Sequence, residues 1–170
     1  MTTTLFYVGP SLRTLHEDYA KRHRIDGRAS LQERREIIVN APAARVWRLL
    51  SDVADWGTNL EPGVHDIHVD QGVVVDAPFT RTNKGARMKA RFAVVDKERE
   101  LAWSGSVFGG AKAVHRYLLE PVSGRATRVT VEESMAGPVL ALAFFTRAKM
   151  AALMENCLAT LKAASEAAAD

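Results

Sequence analysis

The sequence predicts an α+β domain in which a curved antiparallel sheet of about seven strands wraps around one long C-terminal helix. Two short helices follow the first strand, and an extra helix precedes it. Three observations predict this class. From residue 64 to residue 135 the chain breaks into strand-like pieces joined by the short connections "NKG", "DKER", "FGG" and "VSGR", so neighbours should pair as antiparallel hairpins. After them, "GPVLALAFFTRAKMAALMENCLATLKAASEAAA" keeps a helical apolar spacing. Before them, "REIIVNAP" reads as a strand running into the helical pattern "AARVWRLLSDV".

The elements follow in order. "PSLRTLHEDYAKRHRIDG" has a Pro/Ser start and ends at Gly27, with Leu12, Leu15 and Tyr19 on one narrow face. That face is enough to dock on a surface but not to form a core. His16 and His23 lie two helical turns apart on this extension and are expected to be solvated. Pro42 is placed to open the next helix, where no amide donor is needed, and Val46, Leu49, Leu50 and Val53 give it a buried face. "ADWGTNLEPGV" is a second short turn or helix, broken by Gly57, Pro62 and Gly63. The strands are "VHDIHV", a segment around "VVVDAPFTRT", "ARMKARFAVVD", "ELAWSGSV", "KAVHRYLLEP" and "TRVTVEESM". Pro78 places its segment at an edge or marks an interruption. The last helix should begin near Pro138, with Leu142, Phe145, Met150, Leu153, Met154, Cys157, Leu158 and Leu161 as its buried stripe.

Composition narrows the function classes. At 170 residues the chain suits one domain with a substantial core. The first 35 residues carry seven Lys/Arg against four acids, and the remainder sixteen of each sign. The basic character therefore belongs to the extension, and no basic stripe with base-reading residues argues for nucleic acid. "GPVLALAFF" is far shorter than the ~20 residues that span a bilayer, so no integral membrane association is expected. No secretory pattern opens the chain, which makes cytoplasmic residence the expectation. The lone Cys157 excludes an intramolecular disulfide and a cysteine-based metal motif, and it reads as a small core residue. In "HDIH", strand alternation sends His65 and His68 to opposite faces, against a metal site.

"NAPAARVWRLLSDVADW", "ELAWSG", "AVHRYLLEP" and "TRVTVEES" leading into the final helix resemble the START-like, helix-grip (SRPBCC) superfamily. Within it they are most similar to the bacterial polyketide cyclase/dehydrase and lipid-transport-like group. The resemblance implies a helix-grip fold with a hydrophobic-ligand cavity between sheet and C-terminal helix. It divides the chain into an N-terminal extension (1–32), a START-like ligand-binding domain (33–165) and a tail (166–170). Two features depart from the pattern: "TNLEP" stands where a second aromatic commonly precedes the proline, and the extension has no counterpart. No reaction is implied, because members include cyclases, carriers and sensors.

Strand alternation picks out the inward residues. Arg128, Thr130 and Glu132 mark the wet face of the last strand, leaving Val129, Val131, Glu133 and Met135 inside. Arg116 and Glu120 do the same for the strand before, leaving His115, Tyr117 and Leu119. Leu101, Trp103 and Gly105 form one further inner set, and Met88, Ala90, Phe92 and Val94 another. Arg87 and Arg91 face outward. A turn centred on Gly124 sets His115 opposite Glu133, and one centred on Gly109 sets Trp103 opposite His115. Directly opposed side chains lie ~5 Å apart at Cβ.

The predicted site is thus a row Trp103–His115–Glu133 with Tyr117 one step along. Its apolar wall adds Met88, Phe92, Val131 and Met135 from the sheet and Phe145, Met150 and Met154 from the helix. Trp56 is expected to close one end, and Phe144 with Phe145 to stand at an entrance. Glu133 could orient the His115 imidazole, which could hydrogen-bond a ligand or act as proton acceptor. The plainer reading is that the two satisfy each other beneath the helix. Ser104 and Ser106 show no histidine–acid arrangement for a nucleophile. The first expectation is a binding protein for a small hydrophobic, lipid- or polyketide-like molecule, without a cofactor or metal. Its rivals are a cyclase/aromatase or dehydratase using His115 and Glu133, and an interaction module. In the module reading the N-terminal helix docks on the domain, on a second subunit to give a homodimer, or on an anionic surface.

Overall fold

The computed structural model describes residues 7–143 and 145–167. An N-terminal helical segment consists of α1 (Leu12–Thr14), a wide π turn (Leu15–Tyr19) and a 3₁₀ turn (Ala20–Arg22). It ends at His23, which turns the chain in a left-handed conformation (φ 56°). Then come β1 (Leu31–Val39), α2 (Ala43–Ser51), a 3₁₀ turn (Val53–Asp55) and α3 (Trp56–Asn59). Six strands follow: β2 (Val64–His68), β3 (Pro78–Asn83), β4 (Ala86–Asp96), β5 (Glu100–Ser106), β6 (Lys112–Ser123) and β7 (Ala126–Ala136). The chain finishes with α4 (Val139–Leu142) and α5 (Arg147–Glu166).

The seven strands make one antiparallel sheet in the order β1-β7-β6-β5-β4-β3-β2. Each strand from β2 to β7 pairs with its sequence neighbour, and β1 closes the sheet against β7. Pro78 lies at the first residue of β3, an inner strand, where it displaces no ladder bond within the strand. His65 and His68 on the edge strand β2 are both exposed.

One face of the sheet holds α5. The helix buries Met150, Met154, Cys157, Leu158 and Leu161, a spacing of three and four residues that keeps one stripe against the sheet. Its first half is fixed to β1 by ion pairs: Arg147 Nε donates to Glu33 at 2.9 Å and Arg35 Nε to Glu155 at 2.9 Å. The helix does not run from Pro138. It restarts at Arg147, where the Thr146 hydroxyl accepts the Lys149 amide at 3.1 Å and caps a new N-terminus. Phe145 consequently precedes the helix and is 36% exposed, outside the predicted buried stripe. Phe144 lies outside the described residues.

A β-bulge between Phe92 and Val94 changes a second expectation. The added residue reverses the strand's alternation, so Val95 rather than Val94 packs into the core beside Leu101. Ala93 instead meets the N-terminal segment.

That segment straps across the opposite face of the sheet. Leu15 and Ala20 bury against Ala93 and Val114, and polar groups complete the contact. His16, 6% exposed rather than solvated, places Nδ1 2.8 Å from Ser104 Oγ and Nε2 2.8 Å from Asp76. Lys21 reaches the same aspartate at 2.8 Å and, with His16, holds its carboxyl below the ordinary range. His23 Nδ1 lies 2.7 Å from Glu100, which accepts Arg116 Nε at 2.8 Å, while Arg116 Nη1 reaches Glu132 at 2.7 Å. Arg116, a predicted wet-face marker, is thereby buried. The backbone amide of Asp26 donates to Ser134 Oγ at 3.0 Å. The strap thus docks on the domain's own sheet, and does so through hydrogen bonds as much as through apolar area.

Candidate functional site

The inner face of β6 and β7 carries the row expected from their turn. Leu119 opposes Val129, Tyr117 opposes Val131, and His115 opposes Glu133. On the next strand Trp103 opposes His115, and Phe92 in turn opposes Trp103. On the far side Glu33 of β1 opposes Glu133. One level of the sheet therefore reads Glu33–Glu133–His115–Trp103–Phe92 across five strands.

His115 stacks on Trp103 with ring centroids 4.5 Å apart and planes within 8°. Its Nδ1 lies 3.2 Å from a Glu133 carboxylate oxygen, and a carboxylate at that range favours a proton on Nδ1. Nε2 is buried and, among the described residues, has no hydrogen-bond partner. The pair does not satisfy itself: one nitrogen is provided for and the other is left with an unused hydrogen-bonding position.

Beyond the row, rings fill the space beneath α5. Trp56 packs on Trp103 at 5.0 Å and edge-on to Phe79 at 5.8 Å, and Phe79 stacks on Phe92 at 4.4 Å. Trp56 is fixed by its indole N–H, which donates to the Leu50 carbonyl at 2.9 Å. The Tyr117 hydroxyl and the Cys157 thiol are neighbours in this core. Burial raises both groups, the tyrosine well above its ordinary value and the thiol to about 11. Cys157 is accordingly an inert thiol.

Of the predicted site residues, Trp56, Phe92, Trp103, Tyr117, Val131, Met135, Met150 and Met154 are buried in this core, with Met88 packed against it. Phe145 is not part of it. An open depression of about 490 Å³ lies at the other end of the sheet, between Trp47, Val53, Val73 and Lys97.

Two charged residues join the interior that strand reading did not find. Arg81 of β3 is opposite Met88 on the inner face. Its Nη1 donates to Glu61, its Nη2 approaches the Met88 thioether at 3.9 Å, and its guanidinium lies 5.7 Å from the Trp56 ring centre. Glu61 also accepts from Asn83. Burial lowers the Arg81 pKa, against the attraction of Glu133, Tyr117 and Cys157. The signal for Glu61 was the very stretch "TNLEP" that departs from the family pattern. Side chains of Arg81, His115 and Glu133 each keep 12% of their exposure, so this polar group is reached from outside while the rings below it are sealed.

A Ser104–His16–Asp76 chain also forms, which the sequence did not suggest. Ser104 is 2% exposed beneath the strap and faces away from the ring layer, so no substrate reaches its hydroxyl. His16, Glu17 and Asp76 come close enough together to suggest a cation site. Lys21 already places its ammonium within 3.1 Å of both carboxylates. This group is a clasp for the strap.

Comparison with known proteins agrees with the fold. The family described as polyketide cyclase/dehydrase and lipid transport matches residues 31–166. No curated protein matches significantly. A hypothetical protein from Helicobacter pylori superposes with a TM-score of 0.71 at 22% identity, over 82% of this chain and 90% of that one. A START superfamily protein from Mycobacterium smegmatis gives 0.65 at 11% identity, over 80% and 97%. The di-domain ARO/CYC BexL from the BE-7585A biosynthetic pathway gives 0.62 at 23% identity, over 79% of this chain and 46% of that one. At these identities the structural likenesses speak to fold. The match over residues 31–166, on a seven-stranded sheet gripping α5, shows that the chain belongs to the polyketide cyclase/dehydrase and lipid transport family.

Proposed function

We propose that this protein binds a small hydrophobic or aromatic molecule carrying one hydroxyl, with its apolar body beneath α5 and its hydroxyl on His115. The observation that carries this reading is the buried, unpartnered Nε2 of His115. With the proton on Nδ1 beside Glu133, Nε2 offers a lone pair to a hydroxyl donor. Leaving such an atom unused costs stability, and a guest hydroxyl recovers it. The ring layer must part to admit the body of the guest, and the slightly open Arg81–His115–Glu133 group marks where it enters.

The test compares 2-naphthol with naphthalene, followed by quenching of tryptophan fluorescence. His115→Phe keeps the stack on Trp103 and removes Nε2. It should weaken naphthol roughly tenfold and leave naphthalene unchanged. Equal binding of the two probes, indifferent to the substitution, would sink the proposal.

The same atom supports a second reading. An imidazole whose Nδ1 faces a carboxylate is arranged to accept a proton at Nε2, which is what a cyclisation or dehydration of a polyketone asks of its catalyst. Turnover of such a substrate, lost in both His115→Phe and Glu133→Gln with folding intact, would favour the enzyme over the carrier.

A further inference from the structure

The chain from 137 to 146, "GPVLALAFFT", has no charged residue, yet three of its large apolar side chains stand out in solvent. Leu140 is 84% exposed, Val139 60% and Phe145 36%. Val8 and Leu12, 51% and 39% exposed, join them at the same end of the molecule: a Cβ on Gly9 would sit 2.9 Å from the Ala136 Cβ, just before this segment. The segment is held in place rather than trailing. Gly109, with φ +82°, brings the β5–β6 turn so near α4 that a Cβ there would meet Ala141 at 2.9 Å.

The rim around these side chains is mainly cationic. Lys84, Arg87 and Lys89 are exposed on the β3–β4 hairpin, whose Lys89 pairs with Ser106 at the end of β5. Arg147, 71% exposed, follows Phe145 on the other side. Of the carboxylates at this end, Glu33 is engaged by Arg35 and Arg147 and Glu61 by Arg81, while Asp66 stands exposed on the edge strand, 3.6 Å from His65. The turn at the opposite end, 96–99, mixes both signs.

We propose that this end docks on an anionic lipid bilayer. Leu140, Val139 and Phe145 enter the acyl boundary, and Lys84, Arg87, Lys89 and Arg147 meet the phosphate head groups. Apolar side chains flanked by cations are what an interfacial contact needs. A second copy of this chain fits less well, because pairing this face with itself would oppose two cationic rims.

The test is co-sedimentation of the full chain with ligand-free vesicles of phosphatidylcholine, alone or mixed with phosphatidylglycerol. The protein should sediment with the mixed vesicles and not with phosphatidylcholine alone, and high salt should release it. Leu140→Asp, and separately the pair Arg87→Glu and Lys89→Glu, should each lower partitioning roughly tenfold with an unchanged thermal unfolding curve. Partitioning that ignores phosphatidylglycerol or Leu140→Asp would overturn the assignment. So would a concentration-dependent dimer in sedimentation velocity that Leu140→Asp dissolves, since the face would then belong to a second copy. The naphthol titration needs no vesicles, so failure of either experiment leaves the other proposal standing.

Discussion

Removing the carboxylate of Glu61 tests the buried charge pair most directly. Arg81 and Glu61 side chains are 12% and 7% exposed, and the guanidinium has few other acceptors: a thioether at 3.9 Å and the face of Trp56. Glu61→Leu leaves a cation in a site whose burial already lowers the Arg81 pKa. Breaking a buried pair from one side costs about 3–5 kcal/mol. The remaining exposure, and the nearby Glu133, put the expected loss at the lower end, about 3 kcal/mol. For a chain of this size that is a fall in Tm of roughly 6–12 °C. Arg81→Met should cost a similar amount by stranding Glu61 with Asn83 alone. The double variant replaces both charges by apolar groups and should return to within about 1 kcal/mol of the parent. Urea unfolding followed by tryptophan fluorescence gives all four corners of the cycle. A single-variant loss below about 1 kcal/mol, or a double variant as unstable as the two losses added, would refute the pairing as an interior one.

Two further expectations are simpler. Arg147 first, and Arg35 with it, hold the Glu33 carboxyl below its ordinary value of 4.5. Its contribution is therefore present above that pH and lost as pH falls towards the folded-state value. Glu33→Gln should cost less than about 1 kcal/mol near neutral pH because Arg147 is largely solvated and Arg35 partly so. In urea titrations the gap from the parent should narrow on acidification; a widening gap would contradict the assignment. Cys157, with its thiol pushed up to about 11 beneath the rings, should react with a disulfide reagent at mildly alkaline pH only as fast as the protein unfolds. Rapid stoichiometric labelling of the native protein would show that the ring layer opens on its own.

The sheet was legible because two local rules agree along β6 and β7. Alternation assigns their faces, and a turn centred on Gly124 selects the His115–Glu133 pairing; the strands in fact meet at Ser123 and Ala126, and a register shift between Pro121 and Ser123 brings them into that pairing. What escaped were features that alternation does not encode. The bulge at Ala93 inserts a residue without any glycine or proline to announce it. Arg81 sits inside only because Glu61, twenty residues earlier, comes back from α3 to meet it, a contact made by tertiary packing. The apolar spacing of the last helix continues back through Phe145, and only the Thr146 cap shows that the chain turns there. His16 looks solvated on its own helix because its partners, Ser104 and Asp76, lie far along the chain on the back of the sheet.

The strap leaves a mark in the body of the protein that can be sought without it. A sheet with one face in water would be free to put lysine, glutamate or threonine on the backs of β4 to β7. Beneath the strap this chain instead has Ala93, Ala102, Ser104, Val114 and Ser134, small or lightly polar and all buried, beside the paired Arg116–Glu100–Glu132 group. Such a back wall makes sense only with something lying on it. Within the family, chains with small residues at these five places should carry a leading segment able to cross them. Chains with long charged residues there should lack one or use it elsewhere. The composition of one sheet face thus becomes a test for the presence of an appendage, applicable to relatives known only as sequences.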